Sequence, residues 1–335
     1  MHRLYNKLAD KIIDGYLINI DEALSLLAAI KLTDIFSFLN GANRIRDHFK
    51  GSQVELCGIV NAKSGKCSEN CCFCAQSVHY KTNIDEFPLL PLDEIVRRAQ
   101  NVEHQQAISV GIVTSGRSIK SEEDLSMICQ AIRALKDSTP IHRCASLGIM
   151  SEHQLQRLKD AGLERYHHNL ETAETFFTQI CTTHTYQERV DTIKAAKSVG
   201  LKVCSGALFG LGEQSHHHVE LAFALKKLDV DKIPLNFLNP VAGTPAFKNE
   251  RLSPLEILKI IALFRYVLPN KDISVCGGRE VNLRGLQPLM YIAGANATMV
   301  GNYLTTTGRN HTLDIQDICD LGLGLTGSSV EYTLN

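Results

Sequence analysis

The sequence predicts an α/β fold, a (β/α)8 TIM-type barrel preceded by an N-terminal helical extension. Eight short runs rich in apolar and β-branched residues follow one another from residue 54 onward, and amphipathic helical patterns separate them. The helical stretches carry explicit start and stop signals. The chain has 335 residues, 44% of them hydrophobic, and no linker or low-complexity segment divides it. This length suits one closed barrel with its surrounding helices.

The first 50 residues have helical periodicity and no strand signal. Apolar side chains recur at helical spacing in three groups, around Ile12, Leu26 and Phe36. We therefore expect residues 1–50 to form the helical extension and residues 51–335 to form the barrel domain.

The eight predicted strands are spaced along the rest of the chain. They are residues 54–62, 107–113, 141–147, 164–170, 201–207, 233–238, 273–276 and 297–300. Between them, Ser253-Pro254-Leu255-Glu256 is a capping box with proline at the first helical position, which predicts a helix start. Active sites of such barrels lie at the carboxyl ends of the strands, so functional residues are expected late in the strands or just after them.

Composition excludes several classes of function. The formal net charge is −1, so the chain lacks the excess positive charge that is typical of nucleic-acid-binding proteins. No apolar run of membrane-spanning length is present, and the polar start of the chain does not resemble a signal peptide. We expect a cytoplasmic protein without a nucleic-acid or membrane partner. In that reducing compartment, the clustered members of its 11 cysteines are better interpreted as metal ligands than as disulfides.

A cysteine-rich loop directly follows the first predicted strand. Cys67, Cys71 and Cys74 have the spacing C-x3-C-x2-C. Three soft thiolates this close favour an iron–sulfur cluster or zinc, and a four-iron cluster with three protein ligands keeps one iron open for another ligand. Zinc is the less favoured alternative, because a structural zinc site usually needs two ligand pairs and no second pair occurs in the chain.

At these residues the chain resembles the radical S-adenosylmethionine (SAM) superfamily, which has this spacing with an aromatic residue before the last cysteine, here Phe73. Residues 206–213 also resemble the glycine-containing pattern that these proteins place beside the adenine of SAM. Further segments make the chain similar to the biotin synthase family over nearly its whole length. They are residues 166–172, 182–189, 202–206, 243–245, 278–280 and 294–296.

The resemblance implies a set of SAM-binding residues. Cys67, Cys71 and Cys74 would hold the [4Fe-4S] cluster whose open iron binds SAM. Further contacts to SAM are expected from residues that match the family in the later strands. Arg189 would bind the SAM carboxylate, Asn169 and Glu171 the ribose hydroxyls, and Gly206 and Gly210 would lie near the adenine. The family usually has aspartate at the position of Glu171.

The resemblance also implies the substrate and the reaction. Asn236 and His167 would contact the ureido ring of dethiobiotin, although the family usually has asparagine at the position of His167. The reaction is the sulfurtransferase conversion of dethiobiotin to biotin. Aliphatic C–H bonds are not appreciably acidic, so no side chain acts as the catalyst and the cofactors carry the chemistry. An electron donor such as flavodoxin or ferredoxin and a homodimer are implied as well.

The source of sulfur departs from the usual family pattern. The resemblance implies an auxiliary iron–sulfur cluster as sulfur donor, usually held by three barrel cysteines and an arginine. Cys144 and Cys204 match two of those cysteines. Ser109 stands at the third position, and the arginine position near Ser274 is vacant.

Two further cysteines offer replacements. Cys57 and Cys276 lie on the first and seventh predicted strands, and Cys144 and Cys204 lie on the third and fifth. Alternate strands of an eight-stranded barrel contribute one interior layer of side chains. Our hypothesis is that these four thiolates form one layer and hold an auxiliary cluster with an atypical ligand set.

Two groups of alternatives stay open at this point. One is another radical SAM barrel enzyme, such as an iron-hydrogenase maturase or a methylornithine-type mutase, which shares the first cluster. The other, from a different class, is a non-catalytic iron–sulfur or zinc protein.

Overall fold

The computed structural model describes residues 2–327, and its central feature is a parallel sheet that closes on itself. The strands are β1 (Gln53–Lys63), β2 (Ser109–Thr114), β3 (His142–Ser146), β4 (Arg165–His167), β5 (Lys202–Cys204), β6 (Ala207–Phe209), β7 (Lys232–Phe237), β8 (Asp272–Val275), β9 (Ala297–Met299) and β10 (Gly324–Leu325). β1 pairs with both β2 and β9, which closes the barrel. The predicted (β/α)8 fold is confirmed.

The closed barrel has eight strand positions, because β5 and β6 together occupy one of them and β10 lies outside the barrel. β5 and β6 both pair with β7, and residues 205–206 separate them. A Cβ atom on Gly206 would lie 1.9 Å from the carbonyl oxygen of Pro234, so this break in the strand requires glycine. β10 pairs with the first two residues of β1, outside the closed barrel.

Helices cover the outside of the barrel. They are α1 (His2–Ile13), α2 (Ile20–Ala29), α3 (Ile35–Lys50), α4 (Leu92–His104), α5 (Glu122–Ser138), α6 (Glu152–Asp160), α7 (Phe177–Ile180), α8 (Tyr186–Ser198), α9 (Ser215–Leu228), α10 (Pro254–Val267), α11 (Arg279–Leu283), α12 (Leu289–Ile292) and α13 (His311–Asp320). None of the helices in the described part of the chain is both long and apolar enough to cross a membrane.

The helix starts follow the predicted side-chain chemistry. The capping box at the start of α10 is present, with the Ser253 hydroxyl accepting from the Glu256 backbone N–H and the Glu256 carboxylate accepting from the Ser253 N–H. Capping boxes also begin α6 and α8. Each box satisfies backbone donors that the first helical turn leaves free.

The first three helices are joined to the barrel by an aromatic contact. Phe38 of α3 stacks on Tyr266 of α10, with ring centroids 4.9 Å apart and planes at 3°. Helical periodicity predicted helices in this region, and α1 to α3 are found there.

A buried ion pair ties α13 to the end of the barrel. Arg279 Nη2 lies 2.7 Å from Asp314 Oδ2, and both residues are 1% exposed. The same guanidinium donates to Gln287 Oε1 and to the Met299 carbonyl oxygen. Because an unpaired charge at this depth is costly, the two residues depend on each other.

Candidate functional site

A cavity of about 390 Å³ lies inside the barrel, and its wall runs from residues at the start of strands, such as Ser109 and Lys232, to the loops that follow the strands. Most of the residues singled out in the barrel strands lie in its wall. They are Cys57, Ser109, Cys144, His167, Asn169, Glu171, Cys204, Asn236, Ser274 and Cys276. The cavity therefore brings the predicted auxiliary-cluster, ribose and substrate residues together. Asn169, Glu171 and Asn236 lie late in strands or after them, as expected of an active site in such a barrel, whereas Ser109 begins β2 and Cys144 lies in the middle of β3.

The loop that carries Cys67, Cys71 and Cys74 lies at the edge of this cavity. The Cys67 N–H donates to the Gln76 carbonyl oxygen at 2.9 Å, and the Cys74 N–H donates to the Cys71 carbonyl oxygen at 3.0 Å, so the loop has a defined shape. Phe73 belongs to the cavity wall. Burial, with a smaller contribution from the neighbouring Cys67, raises the pKa of Cys74 to about 11. Crowded, desolvated thiols of this kind suit a soft metal group that stabilises the thiolates.

A segment far along the chain packs against this loop. Asn70 Oδ1 accepts from the Thr182 N–H at 2.9 Å, and the Asn70 N–H donates to Thr183 Oγ1 at 3.1 Å. These contacts bring Cys181 Sγ to 3.8 Å from Cys71 Sγ. Sequence analysis singled out no role for Cys181, and no spacing signal could have paired two cysteines 110 residues apart.

Arg189 is held beside the cysteine loop by two hydrogen bonds. Its Nε donates to His184 Nε2 at 3.0 Å, and its Nη1 donates to the Asn169 carbonyl oxygen at 2.9 Å. His184 in turn contacts Glu69 Oε2 through Nδ1 at 2.6 Å. Sequence analysis missed this Glu69–His184–Arg189 chain. It orients a buried guanidinium while leaving further N–H groups free to bind an anion.

The two predicted ribose residues lie next to this arginine. Glu171 Oε1 is 3.6 Å from Arg189 Nη1, and Glu171 Oε2 accepts from Asn169 Nδ2 at 3.3 Å. Glu171 also has a φ of +70°, a backbone conformation that is uncommon outside glycine and that recurs at functional sites. Burial raises the pKa of Glu171, and the nearby Arg189 opposes that effect.

The four barrel cysteines lie close enough to affect one another. A hydrogen bond from Cys276 lowers the pKa of Cys57 to about 6, and the same bond raises the pKa of Cys276. Burial raises the pKa of Cys144 to about 11, and burial followed by the charge of Cys144 raises the pKa of Cys204. Ser274 Oγ lies 3.3 Å from Cys276 Sγ. A shared pocket of four thiols is a soft donor set that fits an iron–sulfur cluster.

Two cationic side chains that sequence analysis missed lie beside these cysteines. Arg165 is the strand partner of Cys144, and Lys232 is the strand partner of Cys204. Lys232 is 2% exposed, and its Nζ contacts Glu55 Oε2 at 2.9 Å. Within residues 2–327, Arg165 Nε is buried without a hydrogen-bond partner. A charged residue within or next to an otherwise apolar strand was the available signal in the sequence.

The unpartnered Nε of Arg165 helps to identify the group that the cavity can hold. A buried N–H group without a partner is costly, and a buried cation near thiols favours a bound anion. Clusters held by four thiolates are sulfur-rich and negatively charged. The donor set and the two cations together therefore fit such a group.

Uncharged polar groups form another part of the wall. Asn236 Nδ2 donates to the Ala207 carbonyl oxygen at 3.1 Å, and Asn236 Oδ1 accepts from the Gly277 N–H at 3.0 Å, which fixes the amide plane. Burial, with a smaller effect from Arg189, lowers the pKa of His167 to about 4, so its ring is neutral near pH 7. A fixed amide and a neutral imidazole suit an uncharged polar ligand.

The two predicted adenine glycines are not in the cavity wall. Gly210 has a φ of +94°, and its N–H donates to the Glu213 carboxylate at 2.8 Å. That carboxylate also accepts from the Leu211 N–H at 2.7 Å. Gly206 and Gly210 thus have backbone reasons to be glycine, and their contact with adenine stays a prediction.

Comparison with known proteins adds family information to this geometry. Residues 62–225 match the Radical SAM superfamily, and residues 234–324 match the Biotin and Thiamin Synthesis associated domain. The chain is 49% identical over 327 residues to the biotin synthase of Geobacter metallireducens, covering 98% of this chain and 99% of that protein. It is 50% identical over 316 residues to the biotin synthase of Geobacter sulfurreducens, covering 94% and 96%.

Solved structures of lower identity share the fold. Methylornithine synthase superposes with a TM-score of 0.84 at 20% identity, covering 95% of this chain and 97% of that one. HydG, a maturase of the [FeFe]-hydrogenase, superposes with a TM-score of 0.83 at 15% identity, covering 100% and 76%. These two kinds of enzyme were the alternatives weighed from the sequence. The structural likeness to them establishes the barrel alone.

Proposed function

The chain belongs to the biotin synthase family of radical SAM enzymes, and from that premise we propose how its own residues convert dethiobiotin to biotin. Family membership implies a [4Fe-4S] cluster and SAM as cofactors. One observation carries the proposal. Four thiols and Arg165, whose Nε has no hydrogen-bond partner among the described residues 2–327, share a single cavity with the residues expected to bind ribose and substrate.

The first part of the proposal concerns SAM. Cys67, Cys71 and Cys74 hold the [4Fe-4S] cluster at the edge of the cavity. Arg189 binds the SAM carboxylate with the N–H groups that His184 and Asn169 leave free, and the Asn169 and Glu171 side chains bind the ribose hydroxyls. When bound, the cluster and SAM supply an adenosyl radical, and the auxiliary cluster supplies sulfur.

The second part concerns the auxiliary cluster. Its ligands are four cysteines that project into the cavity from alternate strand positions of the barrel, namely Cys57, Cys144, Cys204 and Cys276. Arg165 and Lys232, which line the same cavity, offset the negative charge of four thiolates. Ser109 and Ser274 line the same cavity, in keeping with a ligand set shifted from the usual family positions.

The third part concerns the substrate. Asn236 and His167 bind the ureido ring of dethiobiotin, the first with a fixed amide and the second as a neutral imidazole. The cavity wall also contains apolar side chains, including Phe237 and Met299, which exclude water from the reacting carbons. The side chains thus orient and shield the substrate, and none of them acts as an acid or base toward it.

Two partners complete the proposal. The reaction takes electrons from a donor such as flavodoxin or ferredoxin, and the enzyme acts as a homodimer. Large apolar side chains exposed in the N-terminal region, including Leu32 between α2 and α3 and Phe36 in α3, are compatible with association. Light scattering at micromolar concentration measures the oligomeric state directly.

The deciding experiment counts the clusters. Iron, acid-labile sulfide and Mössbauer spectra are measured on anaerobically reconstituted wild type, Cys57→Ala and Cys276→Ala. Cys129→Ala is the matched control, because Cys129 is buried in α5 and lies outside the cavity wall. We expect two clusters in wild type and in the control, and selective loss of the second in both test variants. Wild type that holds only the Cys67 cluster would overturn the auxiliary-cluster proposal.

Dethiobiotin turnover tests the substrate assignment separately. Single-turnover assays follow the formation of biotin and of 5′-deoxyadenosine in the same samples. Cleavage of SAM without any biotin, in protein that holds both clusters, would point to another substrate for the same site.

A further inference from the structure

Cys181 is a buried thiol for which the proposed reaction has no use. It is 4% exposed, and its Sγ lies 3.8 Å from Sγ of Cys71, which is itself 8% exposed. A disulfide has an S–S bond of about 2.05 Å, so the two sulfurs need to approach by roughly 2 Å. A change of side-chain torsion with a small loop adjustment supplies a movement of this size.

The two cysteines are held in register by hydrogen bonds between their segments. The Cys72 N–H donates to the Ile180 carbonyl oxygen at 2.8 Å, immediately beside the pair. Asn70, which precedes Cys71, accepts from the Thr182 N–H at 2.9 Å and donates from Nδ2 to Thr182 Oγ1 at 2.7 Å. These contacts flank the thiols on both sides and hold them adjacent.

We propose that Cys71 and Cys181 form a reversible disulfide when the protein lacks its first cluster. The oxidant we name is hydrogen peroxide. Peroxide converts one thiol to a sulfenic acid and releases water, and the other thiol then attacks the sulfenic sulfur. The S–O bond breaks, the S–S bond forms and a second water leaves. The two sulfurs lose two electrons, the peroxide gains them, and both thiol protons end in water.

The disulfide has two effects on the empty site. It stops oxidation of Cys71 at a reducible stage, before the irreversible sulfinic acid. It also removes Cys71 from the Cys67, Cys71 and Cys74 set, so the cluster assembles only after a thiol reductant acts. This second effect rests on the proposed role of Cys71 as a cluster ligand, whereas formation of the disulfide does not.

Trypsin is suited to detecting the link, because it separates the two cysteines. Cleavage after Lys66 and Lys81 gives the peptide 67–81, and cleavage after Arg165 and Arg189 gives the peptide 166–189, whose one cysteine is Cys181. Full-length protein is stripped of iron by anaerobic chelation, treated with stoichiometric peroxide, alkylated and digested without reductant. Holoenzyme treated in the same way is the reference.

We expect the joined peptide 67–81/166–189 in the iron-free protein, and its strong depletion in holoenzyme and after dithiothreitol. Free thiols fall by about two per chain as it forms. Cys72→Ser should retain the joined peptide, whereas Cys181→Ser should lack it. A second equivalent of peroxide should then oxidise Cys181→Ser to sulfinic acid in peptide 67–81. Fragmentation spectra should place the bond at Cys71.

Three results would overturn the proposal. They are absence of the joined peptide in wild type, a bond that disappears in Cys72→Ser, and joined peptides found between chains rather than within one chain. The first of these results is read from wild-type protein alone, so the test does not depend on whether a variant folds. Because mass is the readout, the result in iron-free protein is independent of whether the cluster counts and the turnover assay succeed.

Discussion

Replacement of Arg189 by glutamine should weaken SAM binding by an amount that follows from the contacts of the guanidinium group. Arginine has five N–H donors. Nε donates to His184 and Nη1 donates to the Asn169 carbonyl oxygen, and within residues 2–327 no acceptor takes a hydrogen from Nη2. Enough donors remain for two parallel bonds to one carboxylate.

The size of the effect follows from those two bonds. A charge-assisted hydrogen bond contributes about 1.5–3 kcal/mol, so loss of a bidentate pair costs about 3 kcal/mol at the low end of that range. We therefore expect Kd for SAM to rise roughly 150-fold in Arg189→Gln. Lysine keeps one charged donor, so Arg189→Lys should weaken binding about 10-fold.

The assay is anaerobic equilibrium binding of SAM to reconstituted protein, with iron content measured on each sample. Arg157→Gln is the control, because Arg157 forms an ion pair with Glu122 on the surface and should leave Kd within about twofold of wild type. His184→Ala removes the acceptor that orients Nε and should give an intermediate loss. Arg189→Gln protein that carries full iron and binds SAM within about threefold of wild type would refute the assignment.

Three further predictions concern buried ionisable side chains. Arg165→Met should make the reduction potential of the auxiliary cluster more negative, because a nearby cation stabilises the reduced state; an unchanged potential in a redox titration of fully loaded protein would contradict this. Asp314→Asn leaves Arg279 buried without its partner and should lower the free energy of unfolding in urea by about 3–5 kcal/mol, against about 1 kcal/mol or less for Asp317→Asn. Burial lowers the pKa of His167 from 6.5 to about 4, so below pH 6.5 the unfolded chain binds a proton that the folded chain does not, and stability falls as the pH falls toward 4. His167→Asn should make this pH dependence shallower, and identical slopes for the variant and wild type would show that His167 titrates normally.

Much of the barrel could be predicted because its signals are local. Each of the eight predicted strands has a counterpart in the structure, with residues 201–207 ending across the break between β5 and β6. The order of the strands also predicted that four cysteine side chains face one cavity, and the structure places all four in its wall: Cys57, Cys144, Cys204 and Cys276. A two-residue period within each strand and the layering of a closed barrel are sufficient for that inference.

Residues that act through distant contacts could not be found in this way. His184 was one residue within a family-like segment, and its place between Glu69 and Arg189 depends on how that segment folds over the cysteine loop. Arg165 and Lys232 were overlooked because charged residues are usually exposed, whereas here the barrel turns both toward buried thiols.

The sequence by itself determined the fold and the family, because spacing and periodicity are properties of neighbouring residues. Only the tertiary structure brought Cys181 to Cys71, since the contact joins loops 110 residues apart. It also gave Gly206 a different reason to be glycine, the carbonyl oxygen of Pro234 in the place that a Cβ atom would fill. Contacts of this kind depend on how loops and strands close over one another, and no pattern within a single segment encodes that closure.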